Sequence, residues 1–173
     1  FTYWTAFQAD LQHKAPEEGV REKSSDYMAL LTPVVKAYLT HKGYECANWA
    51  LQLHGGSGFT REWGMEQIVR DCRITTIYEG TNGVQALDLV GRKLAANGGR
   101  AVFSFFSDVD EFVAANEGNE ELVLFVEGLQ SIKAELQDGT LWPLQNGMSD
   151  LSDAGASRHV YLPLSGLPAR DHM

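Results

Sequence analysis

Apolar residues recur at intervals of three and four along most of this chain, and this spacing constrains its fold more than any other feature. It places one apolar stripe along each helix that it predicts. The clearest stripe consists of Leu30, Leu31, Val34, Val35, Tyr38 and Leu39. No segment shows the sustained alternation of apolar and polar residues that would indicate a β-strand. The sequence therefore predicts an all-α fold, a bundle of five or six helices.

Helix boundaries follow from caps and from interruptions of the spacing. The first helix should span residues 1–14, and a cap at residues 24–26 should begin the second. Pro33 should kink the second helix or mark a restart, because proline lacks a backbone N–H donor. The pattern then continues to Leu53. The predicted ranges of the later helices are 61–74, 81–94, 101–115 and 120–137.

Glycine and proline mark where helices should end. The run His54-Gly55-Gly56-Ser57-Gly58 should break the second helix, and Asn97-Gly98-Gly99 should end the helix that starts at residue 81. From Thr140 onwards the helical pattern decays. A continuous helix is unfavourable in that region because of Pro143, Pro163 and Pro168.

Charge argues against a nucleic-acid partner. The formal net charge is -9, and the basic stripe that phosphate binding would need is missing. Acidity of this kind most simply keeps a protein soluble. The sequence shows no signal peptide and no apolar run long enough to span a bilayer, so there is no strong membrane signal.

The two cysteines, Cys46 and Cys72, belong to no CxxC motif and no Cys/His cluster, which disfavours a metal site. Both fall within helical patterns, so we expect buried free thiols in a reducing compartment, the cytoplasm. The sequence leaves a disulfide between them open.

Glu79 is the most informative single residue. In the run Ile77-Tyr78-Glu79-Gly80 it stands between an apolar pair and a glycine, just ahead of a helix that Thr81 should cap. A carboxylate there can simply stabilise the helix N-terminus from solvent. It can also serve as a base that meets an apolar substrate. Position alone leaves both interpretations open.

Three further features carry two interpretations each. The glycines at 55–58 could cradle a phosphate or form a turn between helices, but they do not follow a strand as a Rossmann or P-loop glycine run does. His54 could bind a ligand or cap a helix. The charged residues of 61–63 and 70–73 are expected either to be solvated or to form ion pairs within their helix, with Trp63 in a core or an interface.

Three sequence blocks, taken together, resemble the C-terminal helical domain of the acyl-CoA dehydrogenases. The first is Gln52-Leu53-His54-Gly55-Gly56-Ser57-Gly58-Phe59. The second joins Glu62-Trp63-Gly64-Met65-Glu66-Gln67 to Arg70-Asp71-Cys72-Arg73-Ile74. The third is Ile77-Tyr78-Glu79-Gly80-Thr81. They occur in the family's order and at its spacing.

A narrower resemblance is to the larger bacterial branch, which includes fatty-acyl-CoA and 3-methylmercaptopropionyl-CoA dehydrogenases and carries a helical C-terminal extension. It rests on residues 31–36 and 86–93. The resemblance implies that residues 1–97 form the C-terminal helical domain and that 98–173 form the extension. It places Phe1 inside the first helix of that domain. It also implies that this chain is roughly the last third of an enzyme.

The resemblance implies a chemistry for the candidate residues. Glu79 matches the glutamate that removes the α-proton of an acyl-CoA thioester, and its N–H matches a donor to the thioester oxygen. Gly80 would let the acyl chain pass the backbone. Thr81 would contact the FAD of its own subunit, whereas Gln52, Gly55 and Gly56 would contact the FAD of a neighbour. Many members of the family carry, at the position of Gly83, a glutamine that often contacts the cofactor. Because this chain departs from that pattern, we assign Gly83 no flavin contact.

The resemblance further implies a homodimer or homotetramer, and an electron-transfer flavoprotein as electron acceptor. Two alternatives remain. The chain by itself could be a non-catalytic helical assembly module, or the enzyme could be an acyl-CoA oxidase, because these residues do not report oxygen access. A nitroalkane oxidase is disfavoured, since those enzymes typically use aspartate at the position of Glu79.

Overall fold

The computed structural model describes residues 1–146, with side chains described as far as Leu141. All regular elements in this range are helical, which confirms the predicted all-α class. Pro163 and Pro168, on which part of the prediction for the tail depended, lie outside the described residues.

The helices, in chain order, are α1 (Thr2–Lys14), α2 (Glu18–Leu53), α3 (Gly56–Phe59), α4 (Met65–Ile74), α5 (Asn82–Asp88), α6 (Arg100–Ala115) and α7 (Val123–Asn146). Shorter helical turns connect some of them. They are two 3₁₀ turns, Arg61–Trp63 and Ala96–Gly99, and one π-helical turn, Leu89–Lys93.

The prediction that residues 24–26 cap the second helix is wrong. Helix α2 begins at Glu18, two residues after Pro16. Because Pro16 lies ahead of the helix, its missing N–H costs no helical hydrogen bond. Arg21 secures this start, because its guanidinium donates to the carbonyl oxygens of Ala15 and Pro16 at 2.7 and 2.8 Å. Ser24 lies inside the helix, where its buried hydroxyl donates to Gln8 at 3.0 Å instead of capping.

Helix α2 also continues through Pro33 as one helix, so the predicted restart does not occur. The ring of Pro33 is among the most completely buried side chains of the described residues. An interior proline costs a helix about 3 kcal/mol. Burial of the ring offsets part of that cost. The spacing of apolar residues in the sequence does not reveal this burial.

The remaining boundaries are mostly as predicted. Helix α4 ends at Ile74, and the stop at residues 97–99 is made by three positive φ angles. The predicted helix 61–74 is divided, because Gly64 adopts a left-handed conformation between a 3₁₀ turn and α4. Helix α7 starts three residues later than expected and, against expectation, includes Pro143. There the proline lies in the last turn, so the hydrogen bond that its missing N–H cannot make to the carbonyl oxygen of Gly139 weakens only the end of the helix.

Contacts divide the chain into two compact units. The first contains residues 1–31 and the described residues from 87 onwards, and the second contains residues 32–86. The first unit holds nearly all of the buried apolar side chains. These are Ala15, Tyr27, Leu30, Leu89, Val90, Leu94, Ala101, Val102, Phe106 and Val126.

Polar contacts join α2 to α6 within the first unit. Asp108 accepts hydrogen bonds from Lys23 and Tyr27, both at 2.5 Å. Arg100 donates from two nitrogens to Asp26, at 2.6 and 2.9 Å, and from a third to Glu22. A fork of this geometry fixes the register of two elements better than a single ion pair does.

The second unit, which holds the candidate site, buries much less apolar surface. Ala47 and Pro33 are its buried apolar residues among those described. Its large apolar side chains are mostly exposed, and they include Trp49, Leu53, Phe59, Trp63, Ile68, Ile74, Ile77 and Tyr78. A surface this rich in exposed aromatic and aliphatic groups is typical of an interface.

Both cysteines are free. Cys46 is exposed and Cys72 half-buried, so the prediction of two buried thiols is wrong. Among the described residues, no helix combines the length and the hydropathy that crossing a bilayer requires.

Candidate functional site

Residues 76–82 form a closed loop between α4 and α5, and Glu79 lies at its middle. The chain leaves α4 through two tight turns, in which the N–H groups of Ile77 and Tyr78 both donate to the carbonyl oxygen of Ile74. The loop then closes on itself, because the N–H of Asn82 donates to the carbonyl oxygen of Thr76 at 3.4 Å.

Glu79 is exposed, and its neighbours Ile77 and Tyr78 are each 50% exposed. The carboxylate is therefore accessible within an apolar surface. In the described part of the chain, the backbone N–H of Glu79 donates to no other group. The loop thus offers a carboxylate and a hydrogen-bond donor from the same residue, both open to a ligand.

Gly80 gives the loop its shape. Its φ of +73° lies in the left-handed region, where a side chain is strained. A Cβ at this position would also lie 2.9 Å from the Nε2 atom of Gln85. That amide donates to the Gly80 carbonyl oxygen at 3.1 Å and so holds the glycine turn against α5.

Thr81 caps α5 as predicted. Its hydroxyl oxygen accepts from the N–H of Val84 at 3.2 Å, which is the N-cap to N3 pattern. The hydroxyl proton is not used in this bond, so it remains available to an acceptor beside the loop.

Asn82 ties the loop to the middle of α2, which the sequence reasoning missed. Its Oδ1 accepts from the amine of Lys36 at 2.8 Å and from the hydroxyl of Thr40 at 3.1 Å. Its Nδ2 donates to the carbonyl oxygen of Ala37 at 3.4 Å. Lys36 and Thr40 lie one turn apart on α2, so their side chains are on the same face of the helix. This i, i+4 pair of donors is the sequence feature that could have indicated an acceptor packed against α2.

Lys36 also contacts the loop on its apolar side, since its amine lies 5.8 Å from the centre of the Tyr78 ring. Burial lowers the pKa of Lys36 from its ordinary value. A partly desolvated ammonium interacts more strongly with both a carbonyl oxygen and an aromatic face.

Gln52, Gly55 and Gly56 lie in a second turn, at the end of α2. The N–H of Gly55 donates to the carbonyl oxygen of Gln52 at 3.0 Å, and Gly55 has a φ of +60°. All three residues are exposed, and a Cβ on either glycine would meet no atom within 4 Å. Their backbone is therefore open to close approach by a ligand.

The structure does not bring all the candidate residues together. Glu79, Gly80 and Thr81 share the loop that Asn82 ties to Thr40, whereas Gln52 lies twelve residues further along α2. At 1.5 Å per residue that is a separation of about 18 Å along the helix. The second unit thus presents two separate ligand-accessible turns.

His54 and the charged residues near it have structural contacts. The Nδ1 atom of His54 lies 2.9 Å from the carbonyl oxygen of Ala50, which is a helix-capping contact. Trp63 packs edge-on against this ring, 6.2 Å between centres, and is 62% exposed, so it is not in a core of this chain.

The expected ion pairs within α4 do not form among the described residues. Asp71 accepts from the amide of Gln67 at 2.7 Å. Arg73 donates to the hydroxyl of Thr76 and lies 5.4 Å from the Tyr44 ring. These contacts join the end of α4 to α2 and to the start of the Glu79 loop. In the described range, no three His, Cys, Asp or Glu side chains are grouped as a metal site would need.

A family model covers the part of the chain that contains both turns. Residues 11–94 match the family model described as acyl-CoA dehydrogenase, C-terminal domain. The matched range contains the whole second unit, including the Glu79 loop and the turn at Gln52.

Curated proteins named as acyl-CoA dehydrogenases, or as a subunit of a caffeyl-CoA reductase complex, are similar to this chain. A 3-methylmercaptopropionyl-CoA dehydrogenase of Ruegeria pomeroyi is 43% identical over 63% of this chain and 18% of its own length. A butyryl-CoA dehydrogenase of Syntrophomonas wolfei is 27% identical over 83% of this chain and 24% of its own length. A caffeyl-CoA reductase-Etf complex subunit of Acetobacterium woodii is 41% identical over 35% of this chain and 16% of its own length. The chain spans less than a quarter of each of these relatives.

Proposed function

Because this chain belongs to the acyl-CoA dehydrogenase family through its C-terminal helical domain, we propose that it is part of an FAD-dependent enzyme that oxidises acyl-CoA thioesters to trans-2-enoyl-CoA. The observation that carries this proposal is the closed loop at residues 76–82. It presents the Glu79 carboxylate and the Glu79 N–H, both unengaged by other groups, beside exposed apolar side chains.

Glu79 would act as the base that removes the α-proton of the thioester. The α-proton of a thioester is weakly acidic, so a carboxylate needs both close approach and stabilisation of the enolate-like charge that develops. Ile77 and Tyr78 flank the carboxylate with apolar surface that a bound acyl chain can cover. Covering this surface removes water from the base.

The N–H of Glu79 would donate to the thioester oxygen, where negative charge develops during proton removal. A preorganised backbone donor can do this without the reorganisation that water would need. Gly80, which has no side chain, leaves the backbone beside the carboxylate open to the acyl chain.

The two turns fit the contacts expected for FAD. Thr81 would hold the flavin of its own subunit through its free hydroxyl proton, whereas Gln52, Gly55 and Gly56 would contact the flavin of a neighbouring subunit. When bound, FAD would accept the hydride that leaves the β-carbon. Contacts from two subunits to one flavin lead us to propose a homodimer or homotetramer.

The domain boundary and the remaining partners are part of the same proposal. Residues 1–97 would be the C-terminal helical domain and 98–173 the helical extension, and the family match ending at residue 94 supports that boundary. The relative whose name includes an Etf complex supports an electron-transfer flavoprotein as electron acceptor. The named relatives suggest a short acyl chain or its 3-methylthio analogue as substrate.

The substitution Glu79→Gln tests the proposal. In the full-length, flavin-loaded protein without oxygen, acyl-CoA should bleach the flavin, and Glu79→Gln should slow bleaching at least about 100-fold, because an amide cannot accept the α-proton. Butyryl-CoA and 3-methylmercaptopropionyl-CoA are suitable probes. Glu66→Gln, a half-buried position in the first turn of α4 and outside the loop, is the control and should bleach at the normal rate. Unchanged bleaching in Glu79→Gln would show that Glu79 is not the base.

A second candidate function, helical assembly without chemistry, is favoured by the exposed apolar side chains of the second unit. The two functions are compatible, because an interface on this unit would also complete the flavin site of a neighbour.

A further inference from the structure

Asn82 has two roles in the loop that carries Glu79. It is the first residue of α5, and its N–H closes the loop on the carbonyl oxygen of Thr76. Glu79 is three residues from each of these closing residues. Any shift of Asn82 therefore moves the end of the loop to which Glu79 is attached.

The side chain of Asn82 is held from α2. An ammonium can only donate, so the amine of Lys36 at 2.8 Å must face the carbonyl oxygen of the amide. The amide nitrogen then faces the carbonyl oxygen of Ala37 at 3.4 Å, which agrees with this orientation. The bond from Lys36 is charge-assisted and therefore stronger than the bond from the Thr40 hydroxyl.

Thr40 cannot substitute fully for Lys36. Its single hydroxyl proton is also within reach of the carbonyl oxygens of Lys36 and Ala37, at 2.9 and 3.2 Å. Without the lysine, Asn82 would keep a donor that is shared among three acceptors. The position of the loop would then be less well defined.

We propose that Lys36 is a positioning residue for the base: through Asn82 it fixes the loop of residues 76–82 on α2 and so sets where the Glu79 carboxylate and N–H meet the thioester. This inference rests on the proposed function. Lys36 does not touch the reacting atoms in this arrangement. It acts on the rate of proton removal and not on the affinity for the thioester.

The test measures anaerobic flavin bleaching in the full-length holoenzyme with butyryl-CoA and 3-methylmercaptopropionyl-CoA. Lys36→Met keeps the aliphatic stem but removes the donor. It should lower the limiting bleaching rate on the order of 10- to 100-fold, as small misplacements of catalytic groups do. The thioester concentration at half-maximal rate should change less than about twofold, since uniform binding is retained. Lys36→Arg, which keeps a charged donor, should recover part of the rate.

Lys42→Met is the matched control. Lys42 lies on the same helix and pairs with Glu45 at 2.6 Å, away from Asn82, so its substitution should leave the rate unchanged. Asn82→Ala should reproduce the rate of Lys36→Met. The double variant should be no slower than either single variant, because both remove the same contact. A double variant whose effects multiply would overturn the proposal, as would a normal rate in Lys36→Met.

Flavin content and unfolding temperature are measured for each variant, so that a loss of fold is recognised. If Lys36→Met loses its flavin, Asn82→Ala and Lys36→Arg carry the test, and a normal bleaching rate in Asn82→Ala overturns the proposal. Glu79→Gln distinguishes a failure of the proposed function from a failure of the proposed role of Lys36. Normal bleaching in Glu79→Gln removes the proposed function and this inference together. Slow bleaching in Glu79→Gln with a normal rate in Lys36→Met removes this inference alone.

Discussion

At the scale of single residues, the candidate site combines three consecutive residues with a contact from far along the chain. Glu79, Gly80 and Thr81 stand out because a carboxylate, a glycine and a cap residue are local signals. The contact between Lys36 and Asn82 joins residues 46 positions apart. No local pattern specifies such a contact, because it depends on which turn of α2 faces the loop.

Gly58 provides a prediction at this scale. A Cβ there would lie 2.6 Å from the carbonyl oxygen of Leu51 and 2.7 Å from the Cβ of His54. Gly58→Ala should therefore lower the free energy of unfolding by about 1–3 kcal/mol, the usual cost of overpacking. Urea unfolding followed by circular dichroism measures this.

Gly43→Ala is the control for Gly58→Ala. Gly43 lies within α2 and would place its Cβ in open space, so alanine should leave stability unchanged or raise it by about 1 kcal/mol. Equal effects of the two substitutions would contradict the close packing of Gly58.

At the scale of elements, the errors concern α2 and α7. Ser24 resembled a cap, but packing against α1 gives its hydroxyl a partner in Gln8 and lets the helix run through it. Pro33 and Pro143 resembled breaks, but both lie within helices. Most helix stability in proteins comes from tertiary packing, which can override a local preference.

The contact between α2 and α6 should depend on pH. Burial, and then the hydrogen bond to Asp108, raise the pKa of Tyr27 above its ordinary value. Burial alone would raise the pKa of Asp108, but the hydrogen bonds from Lys23 and Tyr27 outweigh it and hold that pKa below its ordinary value. The hydrogen bond from Tyr27 to Asp108 should therefore stabilise the fold fully between about pH 4 and pH 10. These limits are the pKa values of aspartate and tyrosine side chains in the unfolded chain.

Asp108→Asn and Tyr27→Phe test this dependence. At neutral pH each should lower the free energy of unfolding by about 1.5 kcal/mol, the lower end of the range for a hydrogen bond to a charged group, because Asp108 is partly exposed to solvent. The difference between Asp108→Asn and the unsubstituted protein should shrink as the pH falls below about 4, where the carboxylate protonates. The difference for Tyr27→Phe should shrink above about pH 10, where the phenol ionises in the unfolded chain.

Urea unfolding at acidic, neutral and alkaline pH measures these differences. Asp10→Asn is a control, because Asp10 pairs with Lys14 on the exposed surface of α1, where such pairs contribute little. Differences that stay constant with pH would show that the contact of Asp108 with Tyr27 does not stabilise α6 on α2.

At the scale of the whole molecule, the exposed apolar residues of the second unit form the surface on which we propose that a neighbouring subunit packs. Leu53 is 89% exposed, next to Gln52, which we propose contacts the flavin of a neighbouring subunit. In the full-length protein, Leu53→Asp should lower the mass measured by light scattering and the retained flavin, because burying an unpaired carboxylate costs several kcal/mol. Leu53→Met keeps the apolar volume and should preserve both. An unchanged mass in Leu53→Asp would place the interface elsewhere.

The sequence by itself determined the helical class, the family resemblance and the residues of the two turns. Periodicity, caps and glycine runs are local, and a short stretch of chain is enough to specify them. Only the tertiary structure decided that α2 runs unbroken past Ser24 and Pro33, and that Lys36 holds the loop of Glu79 through Asn82. Those features depend on partners far along the chain, whose contacts form only when the helices pack.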